Sequence, residues 1–167
     1  MAKVFCTSPR LKEFHNLFIS CNEVVNVTEW CCKCEKCAFV YIILSAFLPP
    51  PQVQAVFHGR DLFSDESMSR TFLSLVGGCG DGTKPFECVG TFSETQAAVE
   101  MSLGVLMRQS SEEEEEEGEG GGCRGCVPQG LQQACQHVGL STERPPEFAD
   151  LPLDAQFTAV MSKYVTA

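Results

Sequence analysis

The sequence predicts a mainly α-helical fold: a small helical domain built on a four-cysteine knuckle, then a disordered acidic linker and a short helical tail. Three observations predict it. Apolar residues recur three and four apart between prolines and glycines that stop each run, the mark of short amphipathic helices. Cys31, Cys34 and Cys37 stand at every third position, with Cys21 upstream. Ser110 to Gly122 is almost entirely glutamate and glycine, a composition that cannot bury apolar surface. The boundaries that follow are residues 1–109 for the knuckle domain, 110–122 for the linker and 123–167 for a weakly structured tail.

In chain order, Leu11, Phe14, Leu17 and Phe18 form a first helical face, with His15 on the same segment as a surface or core residue. Val24 to Trp30 is a short β-branched linker. The two overlapping Cys-x-x-Cys pairs of Cys31, Cys34 and Cys37 let a tight turn aim its sulfurs at one centre. Cys21 then completes a tetrahedral set suited to zinc, with Zn–S bonds of about 2.3 Å. Cys32 is a bystander, because adjacent residues rarely reach the same metal. A disulfide pair or a redox Cys-x-x-Cys would leave thiols over.

Ala38 to Leu48 is the longest apolar run, interrupted only by Ser45. It is too short for a membrane span, which needs about 20 residues, and reads as a buried helix. Pro49-Pro50-Pro51 ends it, and Pro51 fits the first turn of a helix over Gln52 to Phe57, stopped by Gly59. Asp65 is the expected N-cap of a third helix with Met68, Phe72 and Leu75 on one side, ended by Gly77-Gly78. The Gly77–Gly82 loop lacks the Gly-Lys-Ser/Thr ending of a Walker A motif and reads as a connector. Ser93-Glu94-Thr95-Gln96 has the form of a capping box for a helix reaching about Arg108. Its core candidates are Ala97, Val99, Met101, Leu103 and Leu106. Pro128 to Val138 and Asp154 to Tyr164 read as short amphipathic helices. Cys123, Cys126, Cys135 and His137 could form a second metal set, without supporting spacing around them.

The net charge is −10, and seven of the 22 acidic residues are Glu112–Glu117 and Glu119. Without them 15 acidic residues face 12 basic ones. Neither balance provides the basic stripe that a nucleic-acid surface needs. The 11 cysteines are an odd number, and Met1-Ala2-Lys3-Val4-Phe5 does not open a secretory signal. A reducing compartment, with some thiols on metal, is the expected setting.

Two stretches together resemble a known family. Ser20-Cys21-Asn22 followed by Trp30-Cys31 and Cys34-Glu35-Lys36-Cys37-Ala38-Phe39-Val40 resembles the zinc knuckle of cyano-deazaguanine synthase and related ATP pyrophosphatases of the PP-loop type. Lys84-Pro85-Phe86-Glu87-Cys88-Val89-Gly90 is more discriminating. Knuckle, apolar helix, proline stop and this heptapeptide, in that order, resemble the C-terminal part of the ATP-dependent UDP-N-acetylmuramoyl-L-alanyl-L-glutamate epimerase. The resemblance covers about Phe14 to Met101. It implies inversion of the terminal L-glutamate of a peptidoglycan precursor, with release of AMP and pyrophosphate. The sequence departs from the family at Cys32, where glycine is usual, and at Thr83, where histidine is expected. It contains no Ser-Gly-Gly-x-Asp-Ser phosphate loop. The chain is therefore expected to be a fragment or subunit, inactive alone. ATP and magnesium would bind only with a separate PP-loop domain.

The resemblance also implies roles. Adenylating a carboxylate removes its charge and acidifies the α-proton, which one group must take while another returns a proton from the opposite face. Cys88 and Glu87 are the candidate acid/base residues. Neighbouring side chains diverge on a strand or a helix, so at most one of them reaches the substrate directly. Lys84 is the candidate to hold a phosphate or carboxylate as a point charge. Read without the resemblance, the stretch is a turn with Phe86 and Cys88 in the core. Two other readings stand beside the epimerase: a non-catalytic zinc-binding interaction module, and a degenerate relative of cyano-deazaguanine synthase. A peptidoglycan step implies the cytoplasm, or the plastid stroma in a photosynthetic organism.

Overall fold

The computed structural model describes residues 1–23, 29–78, 89–116, 127–143, 146 and 151–165, without the side chains of 110–116 and 165. These residues form helices and turns, with no strand among them. The α-helices are α1 (Ala2–Thr7), α2 (Glu35–Ser45), α3 (Pro50–Val56), α4 (Ser69–Leu75), α5 (Phe92–Glu116), α6 (Gln129–His137) and α7 (Leu153–Val165). The mainly α-helical fold that the sequence predicts is the one observed.

Helix α2 is the central element. It packs against α1, α3, α4 and α5, and α5 in turn carries α6 and α7. Cys37, Ala38, Tyr41, Ile42 and Leu44 of α2 are all buried, which explains the long apolar run. A helix enclosed on most sides needs apolar residues on most sides. Ser45, which interrupts the run, is satisfied by donating to the Tyr41 carbonyl at 2.8 Å. The helix starts at Glu35, nearer the cysteines than the run itself begins, with Cys34 at the N-cap in extended conformation.

Proline placement explains the next turn. Pro49 is the N-cap of α3, and Pro50 and Pro51 fill its first turn, where a missing N–H goes unnoticed. At the far end His58 (φ 56°) takes the left-handed position ahead of Gly59. Gly59 N–H returns to the Gln54 carbonyl at 2.7 Å, which satisfies a terminal acceptor. Asp65 accepts from Ser67 N–H at 2.9 Å, as expected of a cap. It caps a 3₁₀ turn (Glu66–Met68) that leads into α4. Met68, Phe72 and Leu75 are buried together.

The structure differs from the sequence expectation in three elements. Leu11 to Phe18 is not an amphipathic α-helix but a 3₁₀ turn (Lys12–Leu17). Phe14, Leu17 and Phe18 are exposed, while His15 is buried with Nε2 2.9 Å from the Phe5 carbonyl. Second, the capping box of α5 begins at Thr91, two positions before Ser93. Thr91 N–H donates to Glu94 Oε2 at 2.7 Å and Glu94 N–H to Thr91 Oγ1 at 3.1 Å. Gln96 instead donates to the Val76 carbonyl at 2.9 Å. Third, α5 does not stop near Arg108 but continues to Glu116. Glutamate is a good helix former, and propagating an existing helix is far cheaper than nucleating one. The rest of the expected linker, 117–122, lies outside the described residues.

Helix α5 is buried at every position from Ala97 to Val105, because α2, α6 and α7 surround it. Two polar residues there are paired: Ser102 donates to the Ala98 carbonyl at 2.7 Å, and Glu100 meets Lys163 of α7 at 3.0 Å. A chain of ring contacts runs through the other half of the core, from Phe5 through Phe18, Trp30, Phe57, Tyr41 and Phe63. Tyr41 donates to Asp61 at 2.9 Å, and the same carboxylate accepts from Phe63 N–H and Ser64 Oγ.

Candidate metal centre

The four cysteines singled out by spacing converge. The Sγ atoms of Cys21, Cys31, Cys34 and Cys37 all lie within 4.8 Å of one another. The separations are 3.9 Å for Cys21–Cys34, 3.7 Å for Cys31–Cys37, 3.5 Å for Cys34–Cys37 and 3.8 Å for Cys21–Cys37. A tetrahedron of sulfurs about 2.3 Å from a central zinc has edges of about 3.8 Å. A disulfide needs about 2.05 Å, and all four cysteines are free. The donor set therefore fits a metal and not a disulfide.

Local backbone explains the convergence. Cys31 precedes a tight turn, Cys34 caps α2, and Cys37 stands one turn into it, so three sulfurs face the helix N-terminus. Cys21 arrives from the segment that leads out of the 3₁₀ turn. Amide groups point at the sulfurs, as Lys33 N–H does toward Cys31 Sγ at 3.4 Å. Burial pushes the Cys31 thiol up to about 11 and raises Cys37 further. Burial also works to raise Cys34, but amides of Asn22 and Cys37 and the neighbouring thiols outweigh it and bring it down to about 7. Thiolates packed this closely repel one another unless a cation lies between them. A bound metal supplies that charge and displaces the protons.

Cys32 stays out of the cluster. Its Sγ is directed to the Trp30 carbonyl, 3.6 Å away, and the side chain is 1% exposed. Its φ of 58° lies in the left-handed region that favours glycine. That is the physical reason why glycine would suit this turn.

Lys84, Glu87 and Cys88 lie outside the described residues. Their flank is well placed: Val89 is fully buried and Gly90 has φ 65°. A Cβ on Gly90 would come within 3.0 Å of the Phe39 ring and of Glu94 Oε2, so the stretch ends pressed between α2 and the start of α5. Cys123 and Cys126 also lie outside. Cys135 is fully buried, its thiol pushed up to about 12 by burial, whereas His137 is exposed. Sequence reasoning missed Asp61 and the Glu100–Lys163 pair. Nothing in local spacing announces partners so far apart in the chain.

The family described as MurL C-terminal domain matches residues 17–115, a range that holds the whole thiol cluster and the Lys84–Gly90 stretch. Three curated relatives carry the name UDP-N-acetyl-alpha-D-muramoyl-L-alanyl-L-glutamate epimerase. The one from Salinispora tropica is 34% identical over 99 residues, 57% of this chain and 21% of its own. That from a Micromonospora strain is 33% identical over 96 residues, 55% of this chain and 21% of its own. The third, from Xanthomonas oryzae pv. oryzae, is 33% identical over 88 residues, 49% of this chain and 19% of its own. The chain thus matches about a fifth of the length of these relatives. No solved structure matches it. No helix among the described residues is long and apolar enough to cross a membrane.

Proposed function

The chain belongs to the family of the MurL C-terminal domain, and from that premise we propose that it forms the C-terminal part of an ATP-dependent epimerase. The substrate is UDP-N-acetylmuramoyl-L-alanyl-L-glutamate, and the reaction inverts its terminal L-glutamate in peptidoglycan precursor synthesis. One observation carries this reading: a single family match, residues 17–115, takes in both the thiol cluster and Lys84–Gly90.

The residues divide the work. Cys21, Cys31, Cys34 and Cys37 would hold zinc, which supplies a structural cross-link. Four thiolates leave no open position for a reactive water. Glu87 and Cys88 are the acid/base candidates at the glutamate α-carbon, and Lys84 holds a phosphate or carboxylate. Gly90, the last residue of that stretch, lies against the Phe39 ring of α2 and Glu94 at the start of α5. ATP and magnesium bind to a PP-loop part that these 167 residues do not contain. A UDP-linked precursor assigns the activity to the cytoplasm, or to the plastid stroma in a photosynthetic host.

The test is solvent-deuterium exchange at the glutamate α-carbon. The chain alone should release no pyrophosphate and exchange no proton. Joined to the upstream part of a relative it should do both, and Cys88→Ala in that assembly should slow exchange while the fold is kept. Unchanged exchange in Cys88→Ala returns Cys88 to the core. A second reading, a zinc-binding interaction module without chemistry, is favoured by the closed four-thiol set. It predicts no exchange in any combination.

A further inference from the structure

Exposed apolar side chains gather on one side of the knuckle domain. Val4 of α1 is 62% exposed, Phe14 46%, Leu17 74% and Phe18 37%. Helix α1 packs on the 3₁₀ turn that carries Phe14 and Leu17, so these residues share one region of surface. A groove of about 330 Å³ adjoins it, lined by Phe5, Phe18, Phe39, Val40 and Ile43. A second groove of about 330 Å³ shares Phe39 and Ile43 and extends to Met101 and Phe157. Single exposed apolar residues are ordinary, but several beside an apolar groove mark an interaction surface.

The occupant follows from where the family domain begins. The match starts at residue 17, inside this patch, and the domain is described as C-terminal. In the relatives roughly four-fifths of the chain lies beyond the matched part. In those relatives, chain that precedes the matched part therefore joins it at the position of Leu17. Exposed charges of both signs, Arg10, Lys12 and Glu13, border the patch. We propose that Phe14, Leu17, Phe18 and the adjoining groove dock the upstream, ATP-binding part of the epimerase, which presents an apolar contact. This inference rests on the epimerase reading.

The experiment mixes the 167-residue chain with the separately produced upstream part of the Salinispora tropica relative and measures affinity by calorimetry. Wild type should bind. Leu17→Glu and Phe14→Glu, at exposed positions, should weaken binding by about tenfold or more, the size of a charge placed in an interface anchor. Their melting temperatures and metal content should match wild type. Gln132→Glu, on the exposed side of α6, should bind normally. Equal binding by the two patch variants overturns the proposal, as does absence of binding by wild type. Self-association of the chain that Leu17→Glu abolishes, without affinity for the upstream part, assigns the patch to a second copy and also overturns it. Following α-proton exchange in the same mixtures separates the two ideas. Binding without exchange leaves the docking surface standing and removes the epimerase reading. Exchange at the wild-type rate with Leu17→Glu does the reverse.

Discussion

At the scale of single residues, cysteines two positions apart have opposite roles. Cys34 lies 3.5 to 3.9 Å from two other sulfurs of the cluster, while Cys32 points to the Trp30 carbonyl. Cys34→Ser should therefore lose the metal and much of the helical signal. Cys32→Ser and Cys32→Gly should keep one zinc per chain, measured by native mass spectrometry. Equal metal loss in Cys34→Ser and Cys32→Ser would defeat the assignment. Protons compete with the metal for thiolates, so occupancy should fall as pH is lowered and return on neutralisation. Asp61 offers a second contrast. It holds the hydroxyl of Tyr41, which is 2% exposed, together with Phe63 N–H and Ser64 Oγ. Asp61→Ala leaves a buried hydroxyl without its acceptor and should destabilise by about 1–3 kcal/mol in urea unfolding. A loss under a few tenths would mean that water replaces the carboxylate.

At the scale of elements, α6 depends on a close approach. Gly130 N–H donates to the Phe63 carbonyl at 2.9 Å, and a Cβ on Gly130 would lie 2.9 Å from both that oxygen and the Phe72 ring. Gly130→Ala should push α6 away from α4 and lower stability by about 1–3 kcal/mol, as overpacking does, despite alanine's better helix propensity. A rise in melting temperature would show that propensity wins. The glutamate run poses a different question at this scale. Composition alone predicts a disordered linker from residue 110, whereas α5 extends to Glu116. Deleting Glu112 to Glu117 should therefore reduce far-UV circular dichroism by between one and two turns of helix, at 3.6 residues per turn. An unchanged spectrum would restore the disordered reading of that segment.

At the scale of the whole molecule, two fastenings hold distant parts of the chain together. The thiol cluster ties the segment at Cys21 to the start of α2. Its metal should contribute directly to folding, and a strong chelator should lower the melting temperature and loosen the N-terminal segment first. The other fastening is Glu100, buried on α5, with Lys163 of α7 at 3.0 Å. Lys163 is 53% exposed, so water screens the pair. Lys163→Ala should cost about 1 kcal/mol, the upper end for exposed pairs, and should raise hydrogen exchange selectively in α7. Uniform exchange across α5 and α7 would show that the pair does not latch the helix.

The sequence by itself determined the features whose cause is local. Cysteines at every third position lie within one turn, so Cys31, Cys34 and Cys37 are aimed by the backbone that joins them. The triple proline and Asp65 likewise act on residues beside them, which is why α3 and the turn before α4 were legible. Only the tertiary structure decided what depends on enclosure. Leu11 to Phe18 has the spacing of a helix, yet no helix packs over Phe14 and Leu17, and they remain exposed while His15 is buried. Helix α5 is buried over consecutive residues because three other helices surround it, which no single periodicity encodes. Asp61 meets Tyr41, and Glu100 meets Lys163, across long stretches of chain. Such pairs exist only after the chain has closed on itself, since their partners are chosen by packing and not by sequence neighbours.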